Sequence, residues 1–226
     1  MSFDLCLPAF LAVKNGVLLT LLITVASFAV GQILALPLAL GLTSTSQVVR
    51  VPVSTYTFLV RGSPLLVQLF IVYYGLGQID AVRHSFLWPV LRSPVYCAIL
   101  AIGLNSAAYA AELLAGAIRH LPSGQWEAGK ALGLNRIVLL FKVILPQAYR
   151  AVLPAIGNEL VLVMKGSTLA SAVTVMEMTG AARVFVARTY APFETFLIAG
   201  TVYLLMGAVF GRLFKFFEAR VAIPGR

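Results

Sequence analysis

Between Val17 and Leu42 the chain carries no charged side chain. A run of that length can cross a hydrocarbon core of ~30 Å with some tilt, and it is too long for the apolar part of a secretion signal. No water is available in such a core to satisfy peptide groups, so the run must be helical. Further apolar stretches follow at 51–76, 94–117, 146–165 and 193–217, while residues 1–15 are short and mixed. The pattern predicts an all-α polytopic membrane protein, one domain over residues 1–226 with five transmembrane helices. Composition agrees: 60% of the 226 residues are hydrophobic and 11% are charged, more apolar surface than a water-soluble domain can hide.

Charge then orients the chain. There are 17 Lys and Arg against 8 Asp and Glu, a formal charge of +9. In a soluble protein that balance suggests nucleic acid. Here basic loops beside anionic headgroups account for it, and no basic-aromatic platform for a single strand is visible. The segments from Arg119 to Arg150 and from Arg212 to Arg226 are the densest in Lys and Arg, which places both in the cytoplasm and the N-terminus outside. Arg83, Arg92, Arg183 and Arg188 in the outer segments blunt the asymmetry.

Catalytic chemistry finds little support. No GxxxxGK[ST] cradle for phosphates is present, so ATP hydrolysis by this chain is not expected. His84 and His120 are isolated and Cys6 and Cys97 lack metal-binding spacing, so neither a metal nor a cofactor is expected on this chain. Neither histidine lies where it would serve a serine nucleophile.

Polarity inside the apolar stretches is more informative. Arg61-Gly62-Ser63-Pro64 interrupts the second stretch and must face protein or water. Asn105, Tyr109 and Glu112 share one helix face in the third, turned to a partner helix, a pore or the head of the following loop. In the fourth, Pro154 and Gly157 precede Asn158 and Glu159, where a helix can unwind and hold a polar solute. Lys165, Ser167 and Thr168 follow. Glu159 can accept hydrogen bonds from an ammonium group, with Arg61 or Lys165 holding the solute carboxylate. Equally, Glu159 can pair internally with Lys165 or Arg61 and tie helices together. Gln68 and Tyr73 can line the same cavity or simply pack. Residues 170–192, with Glu177, Arg183 and Arg188, read as a partly re-entrant or outer helical connector.

The stretch 121–146 is polar and basic within an otherwise apolar chain. Pro122 and Ser123 can start a short helix with Ser123 as its N-cap, and Gly133 can end it. Asn135 can cap a second helix, which Pro146 is expected to interrupt. Glu127-Ala128-Gly129, then Gly133, then Leu145-Pro146 resembles the EAA loop of bacterial ABC-importer permeases. Gly129 replaces the second Ala and Val143 stands where Ile is usual. A second resemblance, Arg61-Gly62-Ser63-Pro64-Leu65-Leu66-Val67-Gln68 leading to Tyr73-Tyr74-Gly75, narrows this to the polar amino acid and opine subfamily, the histidine, lysine-arginine-ornithine and glutamine type. Tyr109 with Glu112, and Gly157-Asn158-Glu159 with Lys165 to Leu169, match the subfamily pattern as well.

The resemblance covers about Val13 to Phe217 and implies the type I importer permease fold with cytoplasmic coupling helices. It implies ATPase-coupling roles for Pro122, Glu127, Ala128, Lys130, Gly133, Leu145 and Pro146. The implied partners are a cytoplasmic ABC ATPase dimer that carries the ATP and Mg, a second permease subunit and an extracytoplasmic solute-binding protein. The site would be the bacterial cytoplasmic (inner) membrane, with lipid around the bundle. A carrier or channel that works without an ATPase is the alternative, and it leaves the loop pattern unexplained.

Overall fold

The computed structural model describes residues 3–221, and among these every regular element is helical. The end of the basic tail, to Arg226, lies outside them. The first helix, α1 (Cys6–Leu42), begins well before the apolar run, so most of the mixed N-terminal stretch is helical too. Its buried residues, among them Ala9, Val13, Gly16, Thr20, Ser27, Gly31, Ala35 and Ala39, recur every three or four positions and form one small-residue stripe. That stripe packs on α6 (Pro94–His120), whose buried face is itself largely alanine. Between apolar helices in lipid the driving force is close packing, and small side chains let the backbones approach.

The second apolar stretch is not one straight helix. It divides into α2 (Gln47–Gly62) and a segment opened by α3 (Leu65–Phe70) and continued by a π turn and a 3-10 turn to Gln78, with a bend of 108° between the two parts. Ser63 is extended because Pro64 disfavours helical geometry in the residue before it. The carbonyls freed at the break find one partner: the Gln68 amide nitrogen donates to Val60 O at 2.6 Å, to Ser63 O at 3.1 Å and to Ser63 Oγ at 2.8 Å. Two short helices, α4 (Asp80–Arg83) and α5 (Trp88–Leu91), lead to α6.

After α6 comes the polar loop, with α7 (Ser123–Ala131) and α8 (Arg136–Leu139). Pro122, not Ser123, holds the N-cap position of α7, and its carbonyl accepts from Gln125 N. Gly133 ends α7 with φ +73°, and Asn135 caps α8 by accepting from Val138 N at 2.8 Å. Pro146 does not interrupt the second helix. A π turn over Leu140–Ile144 carries α8 into α9 (Leu145–Gly166) and loosens the bonding where proline has no N–H to give. The helix also continues unbroken past Pro154 and Gly157, so the expected unwinding beside Glu159 is absent. Gly157 instead seats Phe214, whose ring would lie under 3 Å from any Cβ there.

A 3-10 segment, Ser167–Val173, turns the chain into α10 (Met178–Thr189), and α11 (Pro192–Val221) returns across the bundle. Among the described residues four helices are long and apolar enough to cross a membrane, and the count reaches five where the bent α2–α3 pair is taken as one broken span. α10 is fastened by a sealed polar knot. Glu177 is fully buried; its carboxylate accepts from Thr179 N and Gly180 N at 2.9 Å each and from the Tyr203 hydroxyl at 2.7 Å. Thr20 of α1 accepts from Met178 N at 3.1 Å. Gly16 makes this docking possible, since a Cβ at that position would fall 2.4 Å from Met178 N.

Candidate functional site

Two adjoining cavities open where the α2–α3 break meets α6 and α9. One, of about 490 Å³, is lined by Arg61, Tyr109, Glu112, Asn158 and Glu159 among others. The other, of about 250 Å³, shares Tyr109 and Glu159 and adds Asn105 and Leu65. Together they form one cleft with polar groups from three helices.

The break in α2 puts Arg61 at this mouth. Its guanidinium lies 3.5 Å from Glu112 Oε1 and 5.4 Å from the centre of the Tyr109 ring. The Tyr109 hydroxyl donates to Arg61 O at 3.3 Å, and Thr57 Oγ1 donates to Glu112 Oε1 at 2.8 Å. A cation held between a ring face and a carboxylate is fixed in direction yet half-exposed, with 42% of the Arg61 side chain open. Glu159, on α9, is 6% exposed and has no ion-pair partner among the described residues. Such a cleft can offer a guanidinium to a carboxylate and a free carboxylate to a cationic nitrogen.

Of the candidate residues, the fold brings Arg61, Asn158 and Glu159 together. Of the two roles open to Glu159, the internal pair with Arg61 or Lys165 is not formed: Arg61 is turned to Glu112, a helix turn along the α6 stripe from Tyr109, and Lys165 is exposed at the end of α9. Gln68 lines neither cavity: its amide nitrogen closes the α2 break and its oxygen accepts from Asn105, which does line the cleft, at 3.0 Å. Tyr73, half-buried against the apolar core, packs edge-on against Tyr74 at 4.8 Å and lines neither cavity. Ser167 and Thr168 turn back onto the carbonyls of Met164 and Lys165 at 2.7 Å each, away from the cleft. The α6 stripe of Asn105, Tyr109 and Glu112 faces the α2–α3 break with all three side chains. Their common helix face was the signal that places them in the site.

At the opposite end, α7 lies on the bundle through half-buried Trp126 and buried Gly129 and presents Glu127, Ala128 and Lys130 outward. Glycine at 129 is explained by packing: a Cβ would sit 2.3 Å from Leu139 Cδ1, a methyl of α8 that fills the space. Leu145 is buried behind the loop, whereas Pro122 and Pro146 are exposed. Gly133 has open space around it, so its requirement comes from its φ of +73° and not from crowding.

A helical bundle crossed by a bent span, with a polar cleft inside and a structured basic loop at one end, is the architecture of a membrane transport component. The chain belongs to the family of binding-protein-dependent transport system inner membrane components, whose model matches residues 31–223. It is 46% identical over 209 residues to the octopine transport system permease protein OccM of Rhizobium meliloti, covering 92% of this chain and 85% of that one. It is 40% identical to the arginine ABC transporter permease protein ArtM of Haemophilus influenzae, covering 92% of each. With the histidine/lysine/arginine/ornithine transport system permease protein HisM of Escherichia coli it shares 39% identity over 207 residues, covering 91% of this chain and 87% of that one. A crystal structure of an amino acid ABC transporter with histidines superposes with a TM-score of 0.84 at 30% identity over 97% of this chain and 99% of that one. The MetNI methionine ABC transporter in an inward-facing form, 18% identical, shares the fold with a TM-score of 0.78 over 99% of this chain and 100% of its own.

Proposed function

We propose that this chain is the permease subunit of an ATP-driven importer for a polar amino acid or opine that carries a cationic nitrogen. The observation that carries the reading is the cleft where Arg61, Tyr109, Glu112, Asn158 and Glu159 converge. Glu112 is already balanced by Arg61, which leaves Glu159 as the carboxylate available to the solute. Relatives named for octopine, for arginine and for histidine, lysine, arginine and ornithine support a solute of that charge type.

Alternating access moves the solute in this reading. A separate ATPase dimer binds ATP and Mg, grips the outward face of α7 through Glu127, Ala128 and Lys130, and pulls the loop as it closes. α8, the π turn and α9 form one continuous helix, so motion at the loop reaches Asn158 and Glu159 without an intervening joint. A second permease subunit completes the passage and an extracytoplasmic binding protein supplies the solute. The N-terminus lies outside and the coupling loop in the cytoplasm.

Uptake by the assembled complex in vesicles tests the cleft. Glu159→Gln lowers uptake at least about tenfold, the loss of a charge-assisted bond worth ~1.5 kcal/mol, while the complex stays assembled; unchanged uptake removes Glu159 from the solute path. The loop has its own test. Gly133→Glu, forced into a left-handed turn, lowers solute-dependent ATP turnover, whereas Gly133→Asn keeps most of it because asparagine tolerates that φ. Equal turnover in the two variants refutes the coupling role of this turn.

A further inference from the structure

A second large cavity lies outside the cleft. It measures about 900 Å³ and sits between the ends of α1 and α6, the start of α2 and the inner side of the coupling loop. Arg50, Arg119 and Arg136 line it, from three separate segments, and no Asp or Glu does. Arg119 anchors itself by donating to Leu42 O at 2.7 Å. Arg50 and Arg136 are exposed, and among the described residues neither has a carboxylate within ion-pairing distance. The floor is apolar, with Leu42 and Ile118 from the ends of the spans, and Trp126 forms part of the wall.

We propose that this cavity binds the headgroup of an anionic phospholipid from the cytoplasmic leaflet. Three facts favour a lipid over the ATPase. The cavity is lined by Ser123 and Trp126 of α7, while Glu127, Ala128 and Lys130, assigned above to the cytoplasmic partner, take no part in its lining. It pairs guanidiniums with the apolar ends of membrane-crossing helices, the polarity of a headgroup joined to its acyl chains. A tryptophan in its wall suits the headgroup level of a bilayer. A bound phosphate bridges the end of α6 to Arg136 at the start of α8, so it braces the loop that transmits the ATPase stroke. The proposal rests on the cytoplasmic placement of that loop.

The test is lipid retention by the permease–ATPase complex. The complex is extracted from phosphatidylcholine vesicles doped with phosphatidylglycerol, and the lipid that remains bound is measured by native mass spectrometry. The wild type retains phosphatidylglycerol in preference to phosphatidylcholine. Each guanidinium near an anionic surface contributes about fivefold in affinity, so Arg50→Gln with Arg136→Gln together weaken retention roughly 25-fold. Restoring charge with Arg50→Lys and Arg136→Lys recovers most of it, which separates charge from a folding defect. Equal retention by wild type and the double glutamine variant overturns the proposal. So does a glutamine variant that keeps its phosphatidylglycerol but sheds the ATPase, since the arginines then face acidic side chains of that partner. Displacement of the lipid by inorganic phosphate makes the cavity a soluble-anion site and also overturns it. Failure of the wild type to hold an ATPase overturns the coupling reading instead, and lipid retention by the permease alone still decides the cavity.

Discussion

Two buried carboxylates, Glu177 and Glu159, differ in what surrounds them. Glu177 is fully enclosed and receives hydrogen bonds from two backbone N–H groups and a tyrosine, all from its own fold. Glu159 is nearly as buried, yet it borders a cleft and lacks an ion-pair partner among the described residues. A carboxylate whose acceptor positions are filled by the chain holds the chain together. One whose capacity points into a cavity is available to something that comes and goes. Burial alone does not separate the two cases; the partners do.

The contrast breaks most forcefully at Glu177. Glu177→Ala leaves the N–H groups of Thr179 and Gly180 without their acceptor around a fully buried position, and the Tyr203 hydroxyl keeps only the longer contact with Thr179 Oγ1. At ~1–3 kcal/mol for each orphaned buried donor, the loss amounts to roughly 3 kcal/mol or more. The expected outcome is a chain that no longer accumulates in assembled form, measured by size-exclusion chromatography of the detergent-extracted complex. A normally assembled variant with selectively lost uptake would move Glu177 into the solute path and erase the distinction. Tyr203→Phe is the milder version. It removes one hydroxyl that donates at 2.7 Å to Glu177 and lies 3.1 Å from Thr179 Oγ1. A loss of about 1 kcal/mol is expected in thermal unfolding, with uptake per assembled complex unchanged.

Much of this was legible in the sequence, for local reasons. The charge-free run from Val17 to Leu42 requires a helix, and Gly133 and Asn135 mark a turn that neighbouring residues define. Asn105, Tyr109 and Glu112 fall on one face by spacing alone. What escaped depended on distant partners. Nothing local says that Arg61 turns to Glu112 and not to Glu159, because that choice is made where α2 meets α6, helices far apart in sequence. Glu177 ahead of Met178-Thr179-Gly180 does carry a local signal, an acceptor at a helix N-cap, but its burial against Gly16 is a long-range fact. Pro146 misled for the opposite reason. The rule that proline ends a helix holds only while the hydrogen bonds around it stay regular, and the π turn at Leu140–Ile144 relaxes that condition.

The Arg61–Glu112 pair sharpens the comparison most finely, because it lies between the extremes. Its members are 42% and 28% exposed, one at the end of α2 and one on α6, so the pair is neither sealed like Glu177 nor, like Glu159, without an ion-pair partner among the described residues. If it served only to tie α2 to α6, a double-mutant cycle of Arg61→Gln and Glu112→Gln would return a stability coupling and no effect on uptake beyond that loss. A half-exposed pair at 3.5 Å is worth only about 0.5 kcal/mol by that measure. The cleft reading expects a different signature. Releasing Arg61 with Glu112→Gln alters the KM for uptake more than the stability, because a guanidinium no longer held by its carboxylate meets the solute differently. Arg61→Gln weakens uptake of a solute that keeps its carboxylate but leaves that of a decarboxylated amine analogue less affected. Equal losses for both solutes would assign the pair to the scaffold, and the dividing line between holding and binding would then run at Glu159 alone.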